Sequence, residues 1–248
     1  MNPLHPYAPP AARSLNPIAG WLTAAIGATM LLDLVLISGF SSAADDEPST
    51  DGLLGLQPVV VMFNLLSVAG NLLWMGTLLR ARQNIENRFP GRLRWSREML
   101  IAAFLVPLGL MLVQGQALLP PLLGLTVDLA LYVALILIVQ ELWRQSRPGG
   151  PGPHSVLVFC WGALGTALTL SSVMASMSLA GAPADDAVFA ETGFSADRFA
   201  EAFRAVAMVH GLDLVFSVVA IAMVWRFTVL HHAGMRAVES SSGEGRLS

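Results

Sequence analysis

The chain has 248 residues, of which 54% are hydrophobic and 12% are charged, and its formal net charge at pH 7 is −3. Soluble globular domains carry about twice that charged fraction, so the composition argues against a soluble domain. Several apolar runs approach or exceed the roughly 20 residues that a helix needs to cross a hydrocarbon core. The sequence therefore predicts a polytopic integral membrane protein.

Six apolar segments follow a Pro-rich N-terminal tail, residues 1–16, which we expect to be irregular and cytoplasmic. They predict an all-α bundle of six transmembrane helices in one membrane domain, residues 17–232. Residues 233–248 are expected to form a disordered cytoplasmic tail. The six predicted helices cover approximately 17–40, 56–79, 98–119, 122–143, 155–180 and 203–227.

Helix-breaking residues separate the later segments. Pro120 and Pro121 remove backbone donors between the third and the fourth segment. The run RPGGPGPH at 147–154 separates the fourth from the fifth, and Ser195 has the side chain of an N-cap residue for the sixth. Cleavage by signal peptidase at SAADD, 42–46, is disfavoured because the preceding apolar run is too long and Asp33 interrupts it.

The distribution of arginine predicts the orientation of the chain. All fourteen basic residues are Arg. If the chain crosses the membrane six times, twelve of them lie on the same side of it. The connections on the other side are acidic or neutral, so the positive-inside rule places the Arg-rich side, with both termini, in the cytoplasm. The use of Arg without Lys, together with abundant Ala, Gly and Leu, indicates a GC-rich bacterial genome and hence a bacterial inner membrane.

Three helix-end motifs carry a family resemblance. The first is LLRARQNIENRFPGRLRWSREMLIAAFLVPLGL, the second is QELWRQSRP at 140–148, and the third is VWRFTVLHHAGMR at 224–236. Together they resemble the domain-of-unknown-function 4328 family of bacterial integral membrane proteins over roughly residues 60–236. The wide separation of Pro107 from Glu141 departs from the family's usual spacing. The resemblance implies a class and a location, and it implies no catalytic residue because the family has no established activity.

Polar side chains recur inside the apolar segments at a comparable depth. At a rise of about 1.5 Å per residue, they fall in the half of the membrane opposite the Arg-rich connections. Helical spacing places Asn64 and Asn71 on one face with Ser67, and it places His210 and Asp213 on one face with Ser217. The candidate site for a ligand or protons consists of Asp33, Asn64, Asn71, Asp128, His210 and Asp213.

The cost of burying charge decides which way these groups face. An ionisable side chain at mid-bilayer costs about 2.5–3.5 kcal/mol, so we expect the carboxyl groups and the imidazole to face protein or water. They would then line a polar cavity in the extracytoplasmic half. The alternative is a purely structural use as interhelical hydrogen bonds, which contribute about 0.6 kcal/mol each.

Three chemistries are open to such a cavity. Proton exchange suits an imidazole, because histidine titrates near neutral pH. A metal site built on His210 and Asp213 with Met174, Met177 or Met208 has weak support because the spacing of a metal motif is missing. The third is an enzyme that uses an Asp as general acid on a lipid or isoprenoid substrate.

The sequence favours a non-enzymatic membrane protein that binds or passes a small solute or protons, or an accessory subunit of a membrane complex. The alternative is the intramembrane enzyme. No metal ligand set, cofactor or catalytic residue is assigned. The expected partners are the lipid bilayer and either another membrane protein or a second copy of the chain. Nucleic acid is excluded because the basic 80–97 segment would lie at the membrane surface, where it sets topology or contacts anionic headgroups.

Smaller expectations concern packing. We expect Glu141 to form an interfacial ion pair with Arg144, three residues further on. Cys160 lies in an apolar run, so we expect it to be buried. The glycines Gly27, Gly70 and Gly165 would allow helices to approach closely.

Overall fold

A computed structural model describes residues 12–45, 50–114, 121–147, 152–179 and 196–244. Every regular element in these ranges is an α-helix, which confirms the predicted all-α class. The tail at 1–11, Pro120 and Ser195 lie outside the described residues. The described helices are α1 (Asn16–Asp45), α2 (Thr50–Arg88), α3 (Arg97–Gln114), α4 (Pro121–Gln145), α5 (Val156–Leu179) and α6 (Ala196–Glu244).

Five of the described helices are long and apolar enough to cross a membrane: α1, α2, α4, α5 and α6. The remaining helix, α3, has 18 residues and ends at Gln114, whereas the third predicted segment continues to 119, beyond the described residues. Large apolar side chains cover the outside of the bundle, and a surface of this kind is suited to hydrocarbon but would aggregate in water. Exposed examples include Trp21, Leu65, Val156, Met174 and Met208.

Helix α6 is the longest element, and it organises the bundle. It packs along α1 and α5, while α1 also packs on α2, α3 packs on α4, and α4 packs on α5. Its 49 residues extend for about 73 Å at about 1.5 Å per residue, whereas a hydrocarbon core is about 30 Å thick. The helix is therefore long enough to leave the membrane and continue into the aqueous phase.

The C-terminal part of α6 differs from the prediction. A disordered tail was expected from residue 233, but the helix continues to Glu244. Gly234 packs so closely that a Cβ there would overlap the backbone carbonyl oxygen of Ser146, and the neighbouring Met235 is buried. Tertiary packing thus extends the helix beyond its apolar run.

The two ends of the bundle have different chemistry. At the acidic end, where α1 ends and α2 and α6 begin, Arg204 contacts Asp45 at 3.4 Å. At the basic end, where α2 and α4 end and the chain enters α1, the Asn84 carboxamide pairs with the backbone of Arg13. The Arg13 N–H donates to Asn84 Oδ1 at 3.1 Å, and Asn84 Nδ2 donates to the Arg13 carbonyl at 2.8 Å. Residues 12–15, directly before α1, are therefore non-helical and held in place.

Glu141 fixes the chain ahead of α3. Its carboxylate accepts hydrogen bonds from the backbone N–H of Arg94, at 2.8 Å, and of Trp95, at 3.4 Å. Arg144, which we expected to pair with Glu141, donates from Nε to the Gly152 carbonyl at 2.9 Å. Each side chain thus ties α4 to a neighbouring loop, a role that the ion-pair prediction did not include.

The predictions for glycine and cysteine are only partly correct. A Cβ at Gly165 would overlap the Tyr132 hydroxyl, so α4 and α5 do approach closely there. No heavy atom lies within 4 Å of a Cβ at Gly27 or Gly70, and the prediction is wrong for both. Cys160 is exposed rather than buried, because it lies on the outward face of α5.

Candidate functional site

Asp33 and His210 form an ion-pair geometry between α1 and α6. His210 Nδ1 lies 2.8 Å from Asp33 Oδ1, with side-chain exposures of 13% for His210 and 0% for Asp33. Asp33 is buried because it lies on the face of α1 that also carries Thr29, Leu36 and Phe40, at the three- and four-residue spacing of one helical stripe. An imidazole N–H that donates to a carboxylate satisfies one of the two buried oxygens.

Aromatic rings enclose the imidazole on two sides. Phe40 of α1 stacks against His210 with centroids 6.0 Å apart. Phe63 of α2 meets it edge-on at 5.2 Å. These contacts hold the ring in position and reduce its access to water.

Asp213, one turn after His210, completes an acidic cluster. It interacts electrostatically with both Asp33 and His210. The second oxygen of Asp33, Oδ2, is buried and accepts no hydrogen bond. With a protonated imidazole and two ionised carboxyl groups, the cluster would carry one net negative charge. Because uncompensated charge is costly in a medium of low dielectric constant, one proton or one cation would balance it.

Two adjoining cavities lie beside this cluster. The long cavity, about 300 Å³, is lined by α1, α2, α5 and α6 and reaches from Phe63 to Trp74 on α2. The short cavity, about 340 Å³, is lined by α2, α5 and α6 and includes Asn64 and His210. Phe63, Leu168 and Asp213 line both. The Asp213 carboxyl group therefore stands where the two cavities meet.

Amide and hydroxyl groups complete the polar part of the walls. Asn71 lines the long cavity together with Ser67 and Ser217, and Asn64 lines the short cavity together with Ser172. Asp213 and His210 are the only titratable groups that line either cavity among the described residues. The predicted polar stripe on α2 thus lies on the walls of these cavities.

Asp128 is placed differently from the other five predicted residues. It lies on α4 and lines neither cavity. Its Oδ1 atom and the hydroxyl of Tyr132, one turn later, are buried without hydrogen-bond partners. The four-residue spacing places Asp128 and Tyr132 on one face of α4. Helix α4 packs on α3 and α5, however, and this face does not adjoin the acidic cluster.

The geometry does not favour the metal alternative. No group of three or more His, Cys, Asp or Glu side chains is placed to hold a metal ion in the part of the chain that the structure describes. Met174 and Met208 are 70% and 75% exposed, so both point away from the cavities. Met177 has no described side chain.

Sequence reasoning placed Trp74 on the α2 stripe but missed the aromatic residues of α5 and α6 that complete an aromatic wall of the long cavity. Phe216 stacks on Trp161 with centroids 6.1 Å apart, and Trp161 meets Trp74 edge-on at 6.4 Å. The indole N–H of Trp74 is buried without an acceptor. A signal was present, because Trp74 continues the α2 stripe of Asn64, Ser67 and Asn71 by three residues, but the aromatic residues of α5 and α6 have no comparable pattern.

A second buried polar group lies at the basic end. Asn84 Nδ2 is 3.1 Å from His231 Nε2, and Ser146 Oγ is 3.0 Å from His231 Nδ1. Because a carboxamide nitrogen only donates, Nε2 must accept and Nδ1 carries the proton. Asn84, Ser146 and His231 belong to the three motifs on which the family resemblance is based. Both ring nitrogens have hydrogen-bond partners, so we infer that this cluster stabilises the fold.

Comparisons with protein-family models, with curated proteins and with solved structures gave no match to this chain. The resemblance to the domain-of-unknown-function 4328 family therefore stays a prediction. The functional argument rests on the geometry of the cluster and the cavities alone.

Proposed function

We propose that this chain is a non-enzymatic, polytopic protein of a bacterial inner membrane that binds a small solute in the two cavities and passes it across the membrane. Binding is linked to a proton held by Asp33, His210 and Asp213. The observation that carries the proposal is the position of Asp213, which lines both cavities and interacts with Asp33 and His210. A solute in either cavity is thereby next to a titratable cluster.

The proposed membrane arrangement has six spans, with α3 as the additional one, and both termini in the cytoplasm. The basic end would face the cytoplasm, and the cavities would then lie in the extracytoplasmic half. Five helices of sufficient length and hydropathy support this arrangement, as does the clustering of Arg at the ends of α2 and α4. Membership of the domain-of-unknown-function 4328 family is part of the same proposal.

The coupling follows from charge balance. When His210 is protonated it partly neutralises the two carboxyl groups, and one further proton on the cluster would remove the remaining negative charge. A solute that contacts Asp213 changes the free energy of that protonation, and by linkage the proton changes the affinity for the solute by the same factor. Asn64, Asn71 and Ser217 can orient the solute but cannot exchange protons at neutral pH, since amides and hydroxyls do not titrate there.

Proton movement in liposomes tests the proposal. The purified protein is reconstituted with an internal pH-sensitive dye, and small cationic, neutral and anionic solutes are added in turn. We expect at least one solute to move protons with the wild type but not with Asp213→Asn. Asp128→Asn is the matched control, because this intramembrane carboxyl lines neither cavity. The proposal is wrong if no solute of any charge class moves protons, or if Asp213→Asn behaves like the wild type.

An intramembrane enzyme is the second candidate, and one observation favours it. Asp213 lies against a cavity whose other walls are largely apolar, and a protonated carboxyl group in such a place can act as a general acid on a lipid or isoprenoid. Lipid mass spectrometry on strains that express the wild type or Asp213→Asn distinguishes the two candidates. A product found only with the wild type would support the enzyme, and identical lipid profiles would exclude it.

The partners that belong to this proposal are the bilayer and either another membrane protein or a second copy of the chain. The apolar exterior supports contact with lipid.

A further inference from the structure

We propose that the long cavity binds an elongated amphiphilic cation, an amine or quaternary ammonium with an apolar body, whose charged nitrogen lies beside Asp213. This inference rests on the proposed function and names the class of solute. It follows from the shape of the cavity, the chemistry of its walls and the charge of the acidic cluster.

The cavity is elongated along the helix axes. Its lining runs from Phe63 to Trp74 on α2 and from Asp213 to Val224 on α6, which is 11 residue steps along each helix, or about 16 Å at about 1.5 Å per residue. Its volume of about 300 Å³ is at the lower end of the range of about 300–1,000 Å³ for small-molecule sites. A narrow ligand with one polar end fits these dimensions.

The polar and apolar groups are segregated along this axis. Asp213 lies at the edge shared with the short cavity, toward the acidic end. Toward the basic end the lining includes Leu22, Trp74, Trp161 and Val224, and none of the described residues that line this part is charged. A charged nitrogen beside Asp213 and a hydrocarbon or aromatic body toward the basic end would match both environments.

Aromatic rings suit a cation better than an anion. Phe63 and Phe216 line the part of the long cavity that contains Asp213, where the charged nitrogen would lie. The faces of these rings carry negative potential, so they attract ammonium groups and repel carboxylates. Among the side chains that the structure describes, no Arg lines either cavity to receive an anion. A sugar is also a poor fit, because it would need more hydrogen-bonding groups than these walls provide.

The charge of the cluster requires a single positive partner. Asp33 and Asp213 supply two carboxyl groups, and His210 supplies one imidazole that can be protonated. The helices packed around them add no further titratable group to the cavity walls: α2 contributes Asn64, Ser67 and Asn71, and α5 contributes Ser172. A proton and an organic cation therefore compete for the acidic cluster, and binding of one excludes binding of the other.

Equilibrium binding in detergent solution tests the class of ligand without requiring transport. The probes are 4-phenylbutyltrimethylammonium, the neutral 4-phenylbutanol and the anionic 5-phenylpentanoate, which have similar bodies. We expect the cation to bind about tenfold or more tightly than the other two, since Asp213 discriminates by charge. That preference should weaken as the pH falls, because protons compete with the cation, while binding of the alcohol should not change.

Asp213→Asn should remove the preference for the cation, and Asp128→Asn should retain it. A second variant avoids dependence on the folding of Asp213→Asn. Gly70 lines the long cavity and has open space around a Cβ, so Gly70→Leu should fill the cavity and weaken cation binding about tenfold or more. Gly27→Leu is its control, because Gly27 also has open space but lines neither cavity.

Each result separates the class of ligand from the proposed function. If the alcohol or the anion binds as tightly as the cation, or if Gly70→Leu leaves cation binding unchanged, the inference fails. Solute-dependent proton movement with a neutral or anionic solute would still support the proposed function. If the cation binds preferentially but no solute moves protons in liposomes, the ligand class stands and proton coupling fails.

Discussion

Asp33 and His210 are separated by 177 positions in the sequence, yet His210 Nδ1 lies 2.8 Å from Asp33 Oδ1 in the interior of the bundle. The contact joins α1 to α6, the helices with the most extensive mutual packing. Because Asp33 is completely buried, replacing either residue of the pair leaves the other without its hydrogen-bond partner.

His210→Phe should therefore destabilise the protein. The substitution preserves a ring against Phe40 and Phe63 but leaves the Asp33 carboxyl group without its donor, which costs about 3–5 kcal/mol for a buried ion pair. The double variant Asp33→Leu with His210→Phe should recover much of that loss, since no buried carboxyl group remains. Thermal unfolding in detergent measures all three proteins. Additive losses in the double variant would mean that the pair is not coupled; His154→Phe, at an exposed histidine, is the control.

Asn84→Leu should release the segment before α1. The substitution removes both hydrogen bonds to the Arg13 backbone and the contact with His231, each worth about 1 kcal/mol. Trypsin should then cleave after Arg13 roughly tenfold faster, because cleavage follows local opening. The exposed Asn87, one turn later, provides the control Asn87→Leu. Equal cleavage of the two variants would show that Asn84 does not hold this segment.

Gly234→Ala and Gly27→Ala should have opposite effects on stability. A Cβ at Gly234 would overlap the Ser146 carbonyl oxygen, which is backbone and cannot rotate away, so we expect a loss of about 1–3 kcal/mol, as in overpacked cores. A Cβ at Gly27 meets nothing within 4 Å, so alanine should stabilise the helix by up to about 1 kcal/mol. Midpoints of thermal unfolding decide the signs. A stable Gly234→Ala protein would contradict the close contact of α6 with the end of α4.

The sidedness of the two ends can be measured with cysteine labelling. In a Cys160→Ser background, Asp45→Cys marks the acidic end and Asn87→Cys marks the basic end. A membrane-impermeant maleimide added to intact cells should label the cysteine at 45 and not the one at 87, because the Arg-rich end is expected to stay in the cytoplasm. Labelling with the reverse pattern would invert the proposed topology. Permeabilised cells, in which both should react, provide the control.

Helix class and much of the candidate site could be predicted from the sequence. Long apolar runs permit little other than helices, and the three- and four-residue spacing of polar side chains gives their shared faces directly. Asn64 and Asn71 on α2 and His210 and Asp213 on α6 line the cavities, although Asn64 and Asn71 are exposed, and their role in binding stays a prediction. The cost of a lipid-facing carboxyl group gave the inward orientation of Asp33.

The sequence could not give the neighbours of each helix. Asp128 has the depth expected of the site, but depth does not determine which helices surround a residue. The packing of α4 against α3 and α5 places Asp128 away from the acidic cluster. Gly27 and Gly70 were misjudged for the same reason, since a small residue permits close approach only where another helix is present. The extension of α6 past residue 233 depends on Ser146, a contact that no local pattern encodes.

The hold on the segment before α1 has a consequence for biosynthesis. Leu15 is synthesised 217 residues before His232, yet its N–H donates to His232 Nε2 at 3.1 Å. Residues 12–15 can therefore dock on Asn84 of α2 first, and their contact with His232 forms only when α6 has been inserted. A chain truncated before residue 232 would hold residues 12–15 through α2 alone and would lose the contact that joins this segment to α6.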